Sequence, residues 1–404
     1  MTQPPRAVPE RLGPYEVGAK IGGGGMAAIY VGRRVLGSPD GEIVAMKLIR
    51  DDLAHEPHYV DMFLDEARIL SRLSHPNIIV TRDFGVEEDT RFIAMELLLG
   101  RSLMDVYDRA RENESRMPLD LAAWVAKLVA EALAYAHDLK SETDAPLHVV
   151  HRDVNPTNIF VTYDGDVKLI DFGLAKSSSR LAKSGEGIVK GKVPYLSPEQ
   201  IEEKPFDGRA DVYALGASLW EMTTGRRLFK RDTDVQTIRA IRAHEVPDPR
   251  TFVEGLYPEA LWKIIARSLE PDPEKRFANA AAMAAALGEF LQKHGRKADM
   301  RAALVAWIEE LFPGEREKQE AWLAEVSAMA APAPPKTMAP PAPLAGAPAQ
   351  DSEPDAPKSE APASEPEKTP GPPAPLEKHP VLALVAAVGT LGFFVILALV
   401  FRRC

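Results

Sequence analysis

Along the first part of the chain, apolar residues come in short blocks broken by glycine. The stretches YEVGAKIGGGG (15–25), AAIYVGRRV (27–35) and EIVAMKLIR (42–50) are rich in Val, Ile and Tyr, the signature of strands joined by tight turns. Further on the period lengthens. VDMFLDEARILSRL (60–73) and LDLAAWVAKLVAEALAYAHDL (119–139) repeat apolar residues at spacings of three and four, which predicts helices. A strand-rich part followed by a helical part predicts a two-lobed α+β domain over about 14–295, with a cleft between lobes as the favoured ligand site. Residues 1–13 read as a disordered polar tail.

Beyond 295 the pattern gives two short amphipathic helices over 296–330, split at Pro313-Gly314. Residues 331–380 then hold 16 of the chain's 35 prolines, among Ala, Ser and Glu. Such a segment cannot bury a core and is expected to be a disordered linker of polyproline II character, reaching at most about 150 Å. Val381–Phe401 carries no charge in 21 residues. As a helix it is about 31 Å long, close to the hydrocarbon thickness of a bilayer, so a single transmembrane helix is expected there, with a short tail at 402–404.

Composition bounds the function. Apolar residues at 45% and charged residues at 27% of a 404-residue chain suit a soluble core with appendages. The net charge of −10 argues against a general nucleic-acid binder, which needs a basic surface. The one cysteine, Cys404, allows no intramolecular disulfide and fits a reducing compartment. The N-terminus has no apolar run and so no secretory signal is read. Arg402 and Arg403 oppose Lys378 and His379 across the expected span, so charge alone does not orient it.

The candidate chemistry lies in seven ordered pieces. IGGGGMAAIYVG (21–32) is a glycine-rich hairpin whose backbone can approach a ligand closely and adopt positive φ. VAMK (44–47) ends on Lys47, with Glu66 in the helix-like stretch that follows. HRDVNPTN (151–158) is followed by IDFGLAK (170–176), VPYLSPEQ (193–200), DVYALG (211–216) and DPEKRF (272–277). Together these resemble the protein kinase catalytic domain over about 15–290, and most closely the eukaryotic-like serine/threonine kinases of bacteria.

That resemblance implies a two-lobed kinase fold, ATP and Mg2+ as substrate and cofactor, and protein hydroxyls as acceptors. It implies that Gly22, Gly23, Gly24 and Gly25 cover the phosphates, and that Ile21, Met26 and Ala27 also belong to the ATP site, with Ala27 in place of a third glycine. Lys47, held by Glu66, grips the α and β phosphates. Ile29, Ala45 and Phe160 enclose the adenine, whose edge is read by the hinge from Glu96 to Leu98. Asn158 and Asp171 bind Mg2+, Asp153 accepts the substrate proton, and Glu199 with Arg276 braces the activation segment. Arg152 suggests that a phosphate on Ser177, Ser178, Ser179 or Ser184 orders that segment; an unmodified serine-rich loop is the alternative.

Two positions depart from the family pattern. Asn155 stands where a lysine usually reaches the γ-phosphate, and Lys192 stands where a threonine usually precedes the residues leading to Pro-Glu. The two positions are neighbours in the family fold, so Lys192 is expected to supply the missing ammonium; a solvent-facing Lys192 is the alternative. The sequence reading is thus a tail-anchored, single-pass serine/threonine kinase with a cytoplasmic catalytic domain that autophosphorylates, with self-association allowing this in trans. Rival readings are a pseudokinase scaffold at the membrane and a small-molecule phosphotransferase.

Overall fold

In the computed structural model of the chain, residues 8–35, 41–87, 89–172, 192–253, 255–296 and 299–329 are described. The glycine-broken strand blocks form an antiparallel sheet of six strands: β1 (Arg11–Leu12), β2 (Tyr15–Gly23), β3 (Ala27–Arg34), β4 (Ile43–Ile49), β5 (Thr81–Glu87) and β6 (Thr90–Glu96), in the order β1-β2-β3-β4-β6-β5. Alternation on β4 serves two faces. Val44, Met46 and Leu48 pack with Leu12, Tyr15, Phe92 and Ala94 on one side. On the other, Ile49, Ile93 and Met95 pack against Phe63 and Ala67 of α1 (Pro57–Leu70).

The expected disorder of residues 1–13 is corrected for its last part. Arg11 and Leu12 pair with Glu16 and Tyr15, because Leu12 is fully buried in the sheet's apolar cluster.

After β6 the chain enters the helical lobe through β7 (Gly100–Ser102), α2 (Leu103–Glu112) and α3 (Leu119–His137). A second sheet, β7-β8-β9, follows with β8 (Ile159–Thr162) and β9 (Val167–Leu169). Then come α4 (Pro198–Ile201), α5 (Arg209–Thr224), α6 (Asp234–Arg242), α7 (Glu259–Ser268), α8 (Ala280–His294), α9 (Met300–Leu311) and α10 (Glu315–Met329). Helix α5 is buried along nearly its whole length, which places it at the centre of the lobe. Gly216 permits that packing, since a Cβ there would come within 2.6 Å of Ser268.

The lobe's core does not stop at α8. Leu304, Ile308 and Leu311 of α9, with Phe312, belong to the same apolar cluster as α3 and α5. The first of the two helices read beyond 295 is therefore packed into the core of the helical lobe. No helix among the described residues is long and apolar enough to cross a membrane. The linker at 331–380 and the span expected at 381–401 lie outside the described residues.

Candidate active site

The glycine run forms the β2–β3 hairpin, closed by Gly24 N donating to Ala27 O at 2.8 Å. None of Gly22 to Gly25 takes a positive φ, so backbone handedness is not what requires glycine there. Packing does not require it at Gly24 or Gly25 either, where an added Cβ would meet nothing within 4 Å. At those two positions the bare backbone leaves open space for close approach by a group outside the chain. Across β3 and β4, Ile29 faces Lys47 and Val31 faces Ala45, and Ala45 in turn faces Met95. Ile21 and Met26 lie on the exposed and half-exposed parts of the hairpin.

Lys47 is buried at the middle of the site. Its ammonium donates to Glu66 Oε1 at 2.7 Å and to Asp171 Oδ1 at 2.9 Å. Burial alone would push the Lys47 pKa down, but the two carboxylates outweigh it and leave it raised. Lys47 holds the Asp171 carboxyl below its usual range. For Glu66, burial pushes the carboxyl up and Lys47 opposes this.

The catalytic-loop stretch is fixed from beneath by α5. Asp211 accepts from His151 N and Arg152 N, each at 2.8 Å, and meets His137 Nε2 at 2.9 Å. These bonds hold Arg152 at φ +65, a conformation uncommon for a residue with a side chain. Asp171 has φ +55 and is tied back by Ile170 N donating to Asn158 O at 2.9 Å.

Asp153 is the convergence point, 8% exposed. Asn155 Nδ2 donates to its Oδ1 at 3.2 Å and Asn158 Nδ2 to its Oδ2 at 3.0 Å. The ammonium of Lys192 also donates to Oδ2. Asn155 is fully engaged inside the loop: it also donates to Asp153 O at 2.8 Å and accepts from Thr157 N at 2.9 Å. The structure thus brings together two sets, Lys47 with Glu66 and Asp171, and Asp153 with Asn158 and Lys192, joined through Ile170 N and Asn158 O. Asn158 and Asp171 offer oxygen donors suited to Mg2+, and two protein groups suffice when phosphates complete the shell.

Glu96 plays a part its spacing does not reveal. Its carboxylate accepts from Lys168 Nζ at 2.8 Å and from Val80 N at 2.9 Å. Leu98 packs at the edge of the cluster beneath α1. Phe160 is half-buried on β8, opposite Lys168 of β9. The brace of the activation segment is a two-pronged pair, Arg276 to Glu199 at 2.6 and 2.7 Å. Sequence reasoning missed the roles of Asp211 and Lys168. The signal for Asp211 was an acid leading an apolar run, Val212 to Leu215, which marks a buried group with a specific partner. Ser177, Ser178, Ser179 and Ser184 lie outside the described residues.

A family model described as "Protein kinase domain" matches residues 15–287. The tyrosine-protein kinase MasK of Myxococcus xanthus is 39% identical over 283 residues, covering 70% of this chain and 44% of the relative. The serine/threonine-protein kinase PrkC of Bacillus subtilis is 31% identical over 273 residues, covering 68% of this chain and 40% of the relative. The crystal structure of the Mycobacterium tuberculosis PknI kinase domain aligns with a TM-score of 0.53 at 25% identity, covering 70% of this chain and 99% of that one. The chain spans less than half the length of either curated relative.

Proposed function

The chain belongs to the protein kinase family, and on that premise we propose that it is a serine/threonine protein kinase anchored to a membrane. The observation that carries the reading is the meeting of Lys47 with both Glu66 and Asp171. A lysine buried between two carboxylates is a costly arrangement whose use is to place one positive charge beside triphosphate oxygens. Asn158 and Asp171 would hold Mg2+, which when bound neutralises charge on the transferring phosphoryl group. Asp153 orients the acceptor hydroxyl and takes its proton. Lys192 places a cation at the same carboxylate, in reach of where charge develops on the phosphoryl oxygens. Glu96 to Leu98 would read the adenine edge.

Membrane attachment rests on the uncharged run Val381–Phe401, and the need for ATP supports a cytoplasmic position for residues 14–295. Autophosphorylation, in trans through self-association, is part of the same proposal.

A second reading concerns the acceptor. The two positions that depart from the serine/threonine pattern, Asn155 and Lys192, both touch Asp153, and MasK is named a tyrosine-protein kinase. Phosphoamino-acid analysis separates the two. The full chain in detergent, incubated with radiolabelled Mg-ATP, is expected to label itself on serine or threonine, and Asp153→Asn to abolish labelling. Nucleotide binding without transfer by the unmutated chain would favour the scaffold reading, and label on tyrosine alone would overturn the serine/threonine assignment. Expression with and without residues 381–404, followed by membrane flotation, tests the anchor.

A further inference from the structure

The family match ends at residue 287, yet the folded chain continues to 329 and touches both lobes. Helix α9 plants Leu304, Ile308 and Leu311 in the helical lobe, and Arg301 Nε donates to Asp164 O at 2.7 Å. A turn through Gly314, at φ +71, sends the chain into α10. The first turns of α10 grip the segment just past the hinge. Gly100 N donates to Gln319 Oε1 at 3.0 Å, Arg101 pairs with Glu315, and Arg316 Nη1 donates to Tyr163 O at 3.2 Å.

Its far end meets the other lobe. Arg33 Nη1, on β3, donates to Ser327 O at 3.4 Å. Half-buried Val326 lies beside Gly18 of β2, its Cγ1 3.9 Å from where a Cβ on that glycine would sit. Between Gln319 and Ser327 a helix rises about 12 Å. One rigid rod therefore has one end on the helical-lobe side of the hinge and the other on the strand-rich lobe.

We propose that α10 is a strap across the hinge that limits lobe opening and so sets nucleotide affinity. The proposal rests on the kinase reading, because it matters only if the cleft holds a nucleotide. The two lobes carry opposite halves of that site: the glycine hairpin and Lys47 on one, Asp153, Asn158 and Asp171 on the other. Opening pulls Lys47 from Asp171. A rod tied to both lobes raises the cost of that motion and keeps more of the population competent to bind.

The two attachments are unequal. The lower end has an ion pair and side-chain amide bonds to Gly100, while the upper end has one long hydrogen bond and the approach of Val326 to Gly18. The upper end is thus the part that releases, and it lies next to the Pro-rich stretch of sequence that leads to the expected membrane span. A partner or a pull on that stretch acts first on the weaker end.

The test uses the full chain in detergent and reads binding of a fluorescent ATP analogue with Mg2+, so it needs no turnover. Val326→Asp is expected to weaken binding about three- to tenfold, in proportion to the lost competent population. It is also expected to speed hydrogen exchange at residues 96–100. Arg33→Ala should shift both in the same direction by less. Glu317→Ala, on the exposed face of α10, should match the unmutated chain. Nucleotide affinity unchanged in both Val326→Asp and Arg33→Ala, whatever happens to thermal stability, makes α10 a plain buttress and overturns the proposal. Analogue binding with no phosphate transfer by the unmutated chain would instead sink the kinase reading.

Discussion

Lys192 and Asp153, separated by 39 residues in the chain, share a direct ammonium–carboxylate contact. Asn155 touches the same carboxylate from inside the loop, but its amide is spent on Asp153 and Thr157. Only Lys192 therefore brings a cation to that face of the site from these two positions. A charge-assisted hydrogen bond contributes about 1.5–3 kcal/mol, or about ten- to a hundredfold in rate. Lys192→Ala is expected to lower kcat by that factor and leave ATP affinity near normal. Adding Asn155→Lys should recover part of the loss. Steady-state kinetics on the single and double variants check it, and full turnover in Lys192→Ala would end the exchange idea.

The pair Arg276–Glu199 is buried on both sides, and the two partners are not equivalent. Arg276 also donates to the carbonyls of Glu270, Arg209 and Pro271. Removing Glu199 leaves a guanidinium with those three partners. Removing Arg276 strands a buried carboxylate and takes a donor from three carbonyls. Loss of one partner of a buried pair costs about 3–5 kcal/mol. Arg276→Ala is expected at the upper end or beyond, and Glu199→Ala at the lower end, by urea unfolding. The reverse order would mean that the carbonyl bonds contribute little.

How far the sequence carries depends on what each signal encodes. Strand and helix periods made the two lobes legible, because alternation and three-to-four spacing record which faces are dry. The ordered motifs made Lys47, Asp153, Asn158 and Asp171 legible as a group, and the paired departures at Asn155 and Lys192 pointed to each other. Periodicity marks a dry face without naming what covers it, so 296–330 read as two amphipathic helices without showing that the first of them, α9, joins the lobe's core. Leu12 is a lone apolar residue in a polar stretch, too short a pattern to register as a strand. Glu96 and Lys168 are 72 residues apart, and nothing local in the sequence joins them.

His151 supplies a pH signature. Its Nδ1 accepts from Asp153 N and its Nε2 faces Ile170 O, each at 3.3 Å, an arrangement that suits the neutral ring. Burial pushes its pKa below the usual 6.5, with Asp211 opposing. The unfolded chain thus takes up this proton more readily than the folded one. The stabilisation is fully present above 6.5 and is lost as pH falls through that value toward the depressed folded one, at about 1.4 kcal/mol for each unit of depression. Unfolding free energy is expected to fall more steeply on acidification in the unmutated chain than in His151→Asn. Parallel pH curves for the two would show that the ring's proton does not matter to folding.

The last prediction concerns the join between the hinge and the metal-binding strand. Lys168 lies on β9, three positions before Asp171, and its ammonium holds Glu96 at 2.8 Å with both side chains largely buried. Glu96 ends β6, where the chain turns into the hinge. One ion pair therefore ties the strand end that would read adenine to the strand that leads to the proposed Mg2+ ligand. Lys168→Met keeps the stem's bulk but removes the charge, leaving Glu96 with Val80 N alone. The two ends of the nucleotide site can then shift against each other while Lys47, Asp153 and Lys192 keep their own contacts. The expected result is an ATP KM raised about three- to tenfold with kcat little changed, since loss of uniform binding moves KM alone. Lys168→Arg should fall between the two. Combined with Glu96→Gln, Lys168→Met should cost less than the sum of the single changes, as paired residues do. If kcat falls and KM holds, the pair serves the transfer step, and the strut between hinge and metal strand is the wrong account of it.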